Sequence, residues 1–507
     1  MNTKLNFIKS SLFWILIAAA LAFLYGWIPV VSYDMASRAL LGGTILADWS
    51  NMQYDHFTYT AAGTYYVNSE WLCDVIIYLL EKVVGQAGYL LFRVINIFFF
   101  GLSLILIIRL YTKNVIYIIF AVLMVFSVSA DRFAQVGPAL VTYALFGYYL
   151  YFWEVARLRN NSKFLYAIVP IHWFWFNCHG GALLGLGVIG AMAVGEVLGS
   201  VFKLQQDFNK KLVINTFIVI GLCLLVALIN PYGLNSYYYS FEMVFGDMGS
   251  VVREVLIEWH PVISDYAKSY TMVLFLPLVL FGLAFSFIKA AHYFRLAHIF
   301  GLIPTLYLGF TGIREIPELA TISVLVMSYN FFSNKQELGI NKKRVLSGLI
   351  LVLSIFLIGY AVLGYRAKYA KWDVFTIVET DFEPKEAVDF LDKNNIHGKG
   401  FNGFYTGPYL EVRRWPKDQV FVDGRLHLFD KAFHKQYFNL YKTQYPGEVF
   451  DKFDQKWNFD YVILSKRDVK MNPYLLEYFK ASSGWNQVFE DAKGWVFLKN
   501  PKFLSID

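Results

Sequence analysis

Carboxylates that could act as acids or bases are concentrated in one polar segment near the N-terminus. Asp34 directly follows an apolar run, and Asp55 and Glu70 lie in the segment after it. A carboxylate at the end of an apolar helix is only partly hydrated, so its pKa can be tuned for general-base catalysis. Asp34 is therefore a candidate base, and Asp55 and Glu70 could position the base or the group that it deprotonates. The alternative is that Asp34 simply ends a helix at a membrane interface.

A second set of candidates could bind an anion. Arg132 and Arg314 lie at the ends of apolar runs, and a guanidinium group binds phosphate through a rigid fork of donors. His179 lies in the polar segment from Phe176 to Gly181, which breaks an apolar stretch. Polar backbone at membrane depth is tolerated where it lines a cavity or is buried in protein. Both arginines could instead reach lipid headgroups, and His179 could cap a re-entrant turn.

The remaining candidates could contact a substrate. Tyr232 and Trp259 carry aromatic rings that could stack on a sugar or anchor the chain at a membrane interface. Asp423 and Arg425 flank a glycine after an apolar run, where the chain could form a strand-end turn. The full set of substrate-binding candidates is Asn177, Glu258, Trp259, Tyr232, Asp423 and Arg425.

Several kinds of site are not indicated by the sequence. It contains no recognisable phosphate-binding glycine loop, nucleophile elbow or zinc-ligand spacing. The cysteines Cys73, Cys178 and Cys223 show no paired spacing, so neither a disulfide framework nor a metal site is predicted. A divalent ion is possible but unsupported. The formal net charge of +7 comes mostly from lysine and arginine in loops between apolar runs, and no nucleic-acid partner is predicted.

The elements that must position these residues are transmembrane helices. Hydrophobic residues make up 57% of the chain, charged residues only 16%, and the mean hydropathy is +0.44, which is too apolar for a water-soluble protein. A membrane-spanning helix needs roughly 20 predominantly apolar residues. The apolar stretches predict a polytopic α-helical membrane protein with about 11 transmembrane helices, at residues 12–31, 88–110, 115–130, 138–154, 164–176, 182–202, 212–229, 271–288, 297–312, 318–333 and 345–364.

The distribution of lysine and arginine predicts the orientation of the chain. These residues recur in alternate loops, and positively charged loops stay in the cytoplasm. The N-terminus is therefore predicted to be cytoplasmic, and an odd number of spans places the C-terminal residues outside. Residues 1–365 form the predicted membrane domain, with an outer loop at 33–87, and residues 366–507 form a predicted extracytoplasmic α/β or α+β domain.

Local patterns predict elements within the outer loop and the C-terminal domain. Apolar residues at helical spacing predict helices at Met35–Leu46 and Glu70–Val84. Pro384 suits the first turn of a helix that ends at Asn394. Short apolar runs predict strands at 419–422, 461–464 and 495–499.

The combination of motifs resembles bacterial membrane proteins of the GT-C glycosyltransferase superfamily. The resemblance covers nearly the whole chain, and it rests on Asp34 at the end of the first span and on the segments Asp55–Thr58, Val67–Leu72, Asn177–Gly181, Asn230–Gly233, Glu258–Pro261, Arg314–Pro317 and Asp423–Arg425. The sequence departs from that group in two places. Met35-Ala36-Ser37-Arg38 follows the aspartate where relatives often have tryptophan and histidine, and His56 stands where they tend to have proline.

The resemblance implies a GT-C-like membrane enzyme whose first outer loop carries the acidic catalytic residues. Asp34 would be the base, and Asp55 and Glu70 would position the acceptor or the base. Arg314 with His179 would hold the donor phosphate. The implied donor is a sugar on a polyprenyl phosphate, and the implied partners are membrane lipid and a glycan, lipid or protein acceptor.

We therefore expect an integral membrane glycosyltransferase that moves a hexosyl or pentosyl group to an envelope acceptor on the extracytoplasmic face. A phosphate leaving group that is already attached to a lipid needs no nucleotide site, only a base and charge-stabilising donors. Two other classes remain open. One is a noncatalytic membrane scaffold or subunit of an envelope complex, with protein partners bound through residues 366–507. The other is a transporter, which would show broken helices in corresponding halves.

Overall fold

Helices account for most of this protein in the computed structural model, which describes residues 2–205, 207–262, 270–290, 293–333, 340–377 and 383–500. The chain divides into two compact units. The first, which we call the helical unit, comprises residues 1–30, 83–237 and 256–376. The second, the mixed unit, comprises residues 31–82, 238–255 and 377–507. The mixed unit therefore combines three separate stretches of the sequence.

The helical unit consists mainly of apolar helices joined by loops, and we number all helices along the chain. The helices of this unit are α1 (Asn2–Gly26), α4 (Ala87–Arg109), α5 (Val115–Ala134), α6 (Ala139–Leu158), α7 (Ile168–Cys178), α8 (Ala182–Val201), α9 (Lys210–Val226), α12 (Tyr270–Ala290), α13 (Leu296–Thr311), α14 (Ile316–Phe332) and α15 (Ile340–Gly359). Each apolar stretch predicted from the sequence coincides largely with one of these helices, which confirms the predicted helical positions.

Length and composition indicate a multi-pass membrane protein. Among the described residues, four helical segments are long and apolar enough to cross a membrane: Ala87–Arg109, Val115–Ala134, Ala182–Val201 and Gly348–Tyr369. Three shorter segments are also apolar, at Ser11–Gly26, Phe275–Ala290 and Leu296–Thr311. The count of about 11 spans stays a prediction.

A buried arginine joins three helices of the helical unit. Arg93 of α4 is fully buried, and its guanidinium group donates to the backbone carbonyls of Ile28 at 2.5 Å, Pro29 at 3.2 Å and Ala134 at 3.2 Å. Carbonyl groups at the ends of helices have no partner within the helix. Arg93 therefore donates to two carbonyls just after α1 and to the carbonyl of the last residue of α5. This contact fixes the end of α5, the helix that carries Arg132.

The mixed unit contains the remaining helices and a small sheet. Its helices are α2 (Asp34–Ala47), α3 (Trp71–Val84), α10 (Asn235–Phe245), α11 (Asp247–Val255), α16 (Lys385–Lys393), α17 (Gly407–Arg414), α18 (Lys431–Asn439), α19 (Pro446–Trp457), α20 (Lys466–Met471) and α21 (Pro473–Ala481). A few terminal residues of α3 and α10 belong to the helical unit. Helices α2, α3 and α16 confirm the three helices predicted for the outer loop and the C-terminal domain.

The sheet has four strands in the order β1-β2-β4-β3. They are β1 (Gly400–Phe401), β2 (Tyr461–Ser465), β3 (Trp485–Glu490) and β4 (Gly494–Lys499). β1 and β2 are parallel, and the other pairs are antiparallel. Val388 of α16 and Leu410 of α17 pack with Ile463 and Val496 of the sheet in one buried core. The strands predicted at 461–464 and 495–499 are confirmed.

The third predicted strand, which ends at Val422, is wrong. Only Val420 in this segment forms a bridge, and its partner is Thr58. The side chain of Asn402 occupies the neighbouring backbone groups: it accepts from the nitrogen of Phe421 and donates to the carbonyl of Val422, each at 2.8 Å. Because these groups are satisfied by a side chain, no strand ladder extends along the segment.

Candidate active site

One arginine of the mixed unit, Arg38, forms ion pairs with three carboxylates. α2 begins at Asp34, and one turn later Nε of Arg38 lies 2.9 Å from Oδ2 of Asp34. Nη1 of Arg38 lies 2.7 Å from Oε2 of Glu70 and 3.1 Å from Oδ1 of Asp74. We call these four residues the Arg38 cluster. The side chain of Asp34 is 44% exposed, against 25% for Glu70 and 1% for Asp74, so Asp34 is the carboxylate most open to a substrate.

Close packing of α2 on α3 brings Asp74 into this cluster. A Cβ atom at Gly42 would lie 2.2 Å from the carbonyl oxygen of Asp74, so the approach requires glycine. Burial raises the pKa of Asp74 to about 7, although Arg38 and a hydrogen bond from Asn68 at 2.8 Å both act to lower it. Near neutral pH, Asp74 is therefore protonated in a large fraction of molecules. The charge of Arg38 then compensates chiefly the other two carboxylates.

We expect Asp74 to make the folded protein less stable as the pH rises from about 4 to 7. Its folded pKa of about 7 lies above the value of about 3.9 for an unfolded aspartate. The folded state therefore binds more protons in this range, and stability falls as the pH rises through it. The difference corresponds to at most about 4 kcal/mol. In thermal unfolding of the purified protein, Asp74→Asn is expected to show a flatter dependence on pH than the wild type.

The matched control for this prediction is Asp48→Asn. Asp48 is exposed and caps a short helical turn through a 2.8 Å bond from the nitrogen of Ser50, and asparagine caps helices equally well. This variant is expected to keep the pH dependence of the wild type. An Asp74→Asn curve with the wild-type slope would contradict the assignment.

A second arginine of the mixed unit, Arg425, contacts carboxylates and aromatic rings. Its Nη2 lies 2.6 Å from Oδ1 of Asp55, and its Nε lies 3.0 Å from Oδ2 of Asp423. Its Cζ lies 5.2 Å from the ring centroid of Phe57 and 5.4 Å from that of Tyr66, which is cation–π distance. Because Asp55 is fully buried, it orients Arg425 and does not present its carboxylate to solvent.

Two buried acids near Arg425, Glu411 and Asp423, have pKa values shifted in opposite directions. Burial raises the pKa of Glu411 well above its ordinary value, and the charge of Asp423 raises it further. Burial also acts to raise the pKa of Asp423, but Arg425 outweighs it, and the pKa of Asp423 is lowered. Glu411 is therefore the acid of this pair that favours its protonated form, and Asp423 is the one that favours its ionised form. We call Asp55, Glu411, Asp423 and Arg425 the Arg425 group. Ser37 of α2 donates to Glu411, which ties this group to the helix of the Arg38 cluster.

His427 lies beside the Arg425 group. Burial lowers the pKa of His427 to about 4, and the positive charge of Arg425 acts in the same direction. The imidazole is therefore neutral at neutral pH. Its Nδ1 lies 3.3 Å from the hydroxyl oxygen of Tyr239, and its ring centroid lies 5.5 Å from that of Tyr66. A neutral imidazole has one donor and one acceptor nitrogen, and Nε2 of His427 is buried without a hydrogen-bond partner among the described residues.

The helical unit contains a separate set of charged residues. We call Arg132, His179, Glu258, Trp259 and Arg314 the arginine cluster. Nη2 of Arg132 lies 2.9 Å from Oε2 of Glu258. Cζ of Arg314 lies 4.5 Å from the ring centroid of Trp259, and its Nη2 lies 2.9 Å from Nε2 of His179. Arginine can only donate hydrogen bonds, so Nε2 of His179 accepts and the imidazole is neutral.

Neighbouring residues of α6 orient this cluster. The hydroxyl of Tyr143 accepts from Nε of Arg132 at 3.3 Å and donates to the backbone carbonyl of Arg314 at 3.0 Å. Oγ1 of Thr142 lies 2.7 Å from Nδ1 of His179. Two consecutive residues of one helix therefore hold both arginines and the histidine, so the cluster depends on the position of α6.

Glu258 is the counter-ion between the two arginines. Burial alone would raise the pKa of Glu258, but Arg132 and then Arg314 outweigh it and lower the pKa to about 2. Nη1 of Arg314 lies 3.8 Å from Oε1 of Glu258, and its Nε lies 3.3 Å from Oε1 of Glu315. Two guanidinium groups with an adjacent neutral imidazole can bind an anion such as phosphate.

The structure places most of the predicted site residues in these three sets. The acidic candidates lie in the mixed unit, as do Asp423 and Arg425. The candidates for binding phosphate lie in the helical unit, together with Glu258 and Trp259. Two candidates lie elsewhere in the helical unit. Asn177 donates to a backbone carbonyl of its own helix at 2.8 Å. Tyr232 is buried in a turn, and its backbone nitrogen donates to the side chain of Asn230 at 2.7 Å.

Sequence reasoning missed three members of these sets, Arg38, Asp74 and Glu411, and two residues that contact or lie beside them, Tyr143 and His427. One signal was present, because Asp34 directly precedes the helix predicted at Met35–Leu46 and Arg38 lies four residues after Asp34, which is the spacing of a helical ion pair. The others meet partners distant in sequence. Among the described residues, no group of three or more His, Cys, Asp or Glu side chains is arranged to hold a metal ion.

Known structures share this fold. No protein-family model matches the chain, and no curated protein sequence matches it. The structure is similar to that of the Archaeoglobus fulgidus oligosaccharyltransferase tethered to an acceptor peptide containing the NVT sequon, with a TM-score of 0.60 over 97% of this chain and 74% of that chain. The protein shares the fold of this oligosaccharyltransferase.

The likeness is one of structure and hardly of sequence. Identity to the tethered oligosaccharyltransferase is 12%. The apo form of the same enzyme matches with a TM-score of 0.55 and 11% identity over the same shares of both chains. ArnT from Cupriavidus metallidurans bound to undecaprenyl phosphate gives a TM-score of 0.47 and 13% identity over 96% of this chain and 98% of that chain. The two oligosaccharyltransferase structures therefore confirm, at the level of the fold, the resemblance expected from the sequence motifs.

Proposed function

We propose that this protein is an integral membrane glycosyltransferase that moves a sugar from a polyprenyl-phosphate donor to an acceptor of the cell envelope, on the extracytoplasmic face. The GT-C fold shared with an oligosaccharyltransferase supports the class of enzyme. The observation that carries the assignment is the Arg38 cluster, in which Asp34 is held by a guanidinium group and is the most exposed of three carboxylates. A positioned and accessible carboxylate is what a general base requires.

The proposed reaction is a displacement with inversion at the anomeric carbon. The acceptor hydroxyl oxygen forms a bond to the anomeric carbon, and its proton passes to the carboxylate of Asp34. The bond between the anomeric carbon and the phosphate oxygen breaks, and its electron pair stays on that oxygen. The products are the glycosylated acceptor, polyprenyl phosphate and protonated Asp34. Donors that face the leaving phosphate oxygen lower the barrier because they stabilise the charge developing there.

The remaining site residues are assigned from their contacts. Glu70 shares Arg38 with Asp34 and positions the base. Asp55, Asp423 and Arg425 shape the acceptor side through the Arg425 group.

In the helical unit, Arg314, His179 and Arg132 are assigned to the donor phosphate. Trp259 is assigned to the donor sugar, and Asn177 and Tyr232, which lie outside the arginine cluster, are assigned to its surroundings. A divalent metal ion has no assigned role in this proposal.

The proposed topology follows from the loop charges. We propose about 11 membrane spans, a cytoplasmic N-terminus in a bacterial inner membrane, and an extracytoplasmic C-terminal domain. Lysine and arginine in alternate loops support this orientation. In sequence terms, residues 1–365 make up the membrane domain and residues 366–507 the extracytoplasmic domain. The partners are membrane lipid, the lipid-linked sugar and a glycan, lipid or protein acceptor, and envelope proteins could bind through residues 366–507.

The experiment that tests this function is mass spectrometry of envelope glycans and glycoproteins. A deletion strain is complemented with the wild type, with Asp34→Asn or with the control Asp48→Asn. The wild type and the control are expected to restore a sugar that the deletion strain lacks, whereas Asp34→Asn is expected to leave it missing at an equal level of protein. An unchanged glycan profile in the deletion strain, with altered co-purifying membrane proteins, would contradict the proposal and favour a scaffold.

A further inference from the structure

The arginines assigned to the donor phosphate already face a carboxylate. Glu258 lies 2.9 Å from Nη2 of Arg132 and 3.8 Å from Nη1 of Arg314, and it uses a different oxygen for each. A phosphate group binds arginines through the same kind of paired oxygens. The carboxylate of Glu258 therefore stands where two oxygens of a phosphate would lie.

Side-chain exposure and interatomic distance indicate which contact of Glu258 a phosphate would displace. The side chain of Glu258 is 31% exposed, whereas those of Arg132 and Arg314 are 4% and 14% exposed. A ligand that approaches the arginines from solvent therefore meets Glu258 first. Of the two contacts of Glu258, the one with Arg314 is the longer, at 3.8 Å against 2.9 Å for Arg132. Arg314 is also held independently of Glu258 by Trp259 and His179.

We propose that Glu258 occupies the donor-phosphate position in the ligand-free protein, and that Glu258 and the phosphate exclude each other at Arg314. This inference rests on the proposed function. It changes the role of Glu258 from a residue that binds substrate to one that competes with the phosphate for the same guanidinium group.

Competition of this kind bears on product release. A donor phosphodiester carries one negative charge, whereas the polyprenyl phosphate left after transfer is a monoester that approaches two negative charges at neutral pH. Arginines without a competitor would therefore bind the product more tightly than the donor. The return of Glu258 to Arg314 opposes this preference, so the lipid phosphate leaves more readily.

The test measures binding of a short-chain polyprenyl phosphate to the purified full-length protein in detergent. The variants are Glu258→Gln, Glu258→Asp and Arg314→Gln, with Glu254→Gln as the matched control. Glu258→Gln is expected to bind about tenfold more tightly than the wild type, because a negative charge adjacent to the phosphate is removed. Arg314→Gln is expected to bind at least about tenfold more weakly. Glu254 is exposed and pairs with Lys442, so its variant is expected to bind as the wild type does.

The binding measurements distinguish a wrong phosphate site from a wrong competition between Glu258 and the phosphate. If Arg314→Gln binds the lipid as tightly as the wild type, the proposed phosphate site is wrong. If Arg314→Gln loses binding but Glu258→Gln binds no more tightly than the wild type, the competition is wrong and the phosphate site stands.

Glu258→Asp provides a second test of the competition. It is needed because Glu258→Gln removes the ionised partner of buried Arg132 and could prevent folding. The shorter side chain keeps a negative charge near Arg132 and withdraws it from Arg314. Its affinity is expected to lie between those of the wild type and Glu258→Gln, and affinity at or below the wild-type value would overturn the inference.

Discussion

Replacing Asp34 with asparagine is expected to lower kcat by about 10²- to 10⁴-fold, which is the usual contribution of a general base. Asparagine has nearly the same shape and can still accept a hydrogen bond from Arg38, but it cannot take the proton of the acceptor hydroxyl. The measurement is transfer of labelled sugar from the lipid donor by purified protein at saturating substrate. Because the side chain is replaced by a near isostere, the KM for the donor is expected to change little.

Two further variants separate a chemical role of Asp34 from a structural one. Asp34→Glu retains a carboxylate on a longer side chain and is expected to recover part of the activity. Asp48→Asn makes the same chemical change at the other end of α2, where the side chain caps a short helical turn, and it is expected to be fully active. Equal activity of Asp34→Asn and the wild type would remove Asp34 from the mechanism.

Replacing Arg314 with lysine is expected to lower kcat/KM by about 10²- to 10³-fold, as for loss of one charge-stabilising donor. Lysine keeps the positive charge, but it is a point charge without the planar fork of the guanidinium group. It cannot reproduce both the 4.5 Å contact with the ring of Trp259 and the 2.9 Å bond to His179. The measurement is the kcat/KM for the lipid-linked donor in the same transfer assay.

The control for Arg314 is Arg159→Gln, since Arg159 is an exposed residue that follows α6. Loss of this charge is expected to leave kcat/KM unchanged. If Arg314 acts on the leaving phosphate in the transition state, kcat falls in Arg314→Lys. A rise in KM alone, with kcat unchanged, would show that Arg314 binds the ground state and the transition state equally, and full activity would exclude both roles.

Much of the secondary structure follows from composition and periodicity. The apolar stretches coincide with helices of the helical unit, and the spacing of apolar residues gives α2, α3 and α16. The strands β2 and β4 are predicted because short apolar runs with turn residues on both sides suit a buried sheet. Val420 shows the limit of this approach. Its apolar neighbours predict a strand, but the side chain of Asn402 satisfies the backbone there, and no local pattern reveals such a partner.

The membership of the charged sets was predictable only in part. Asp34 and Glu70 can be chosen because charged residues are conspicuous in an apolar chain, but their shared partner Arg38 is defined by the packing of α2 on α3. Asp55 and Arg425 are separated by 370 residues. A sequence read without related sequences gives no reason to pair them, because the contact exists only after both segments have folded.

The sequence by itself determined that this is an apolar, helical protein with a few charged residues that could do chemistry, because hydrophobicity and periodicity are properties of neighbouring residues. Only the tertiary structure decided what each charge does. Asp34 remains exposed, Asp55 is buried against Arg425, and Glu258 lies between two arginines. The physical reason is that hydration and ion pairing depend on distance in space, so residues of one type acquire different protonation and different roles once the chain has folded.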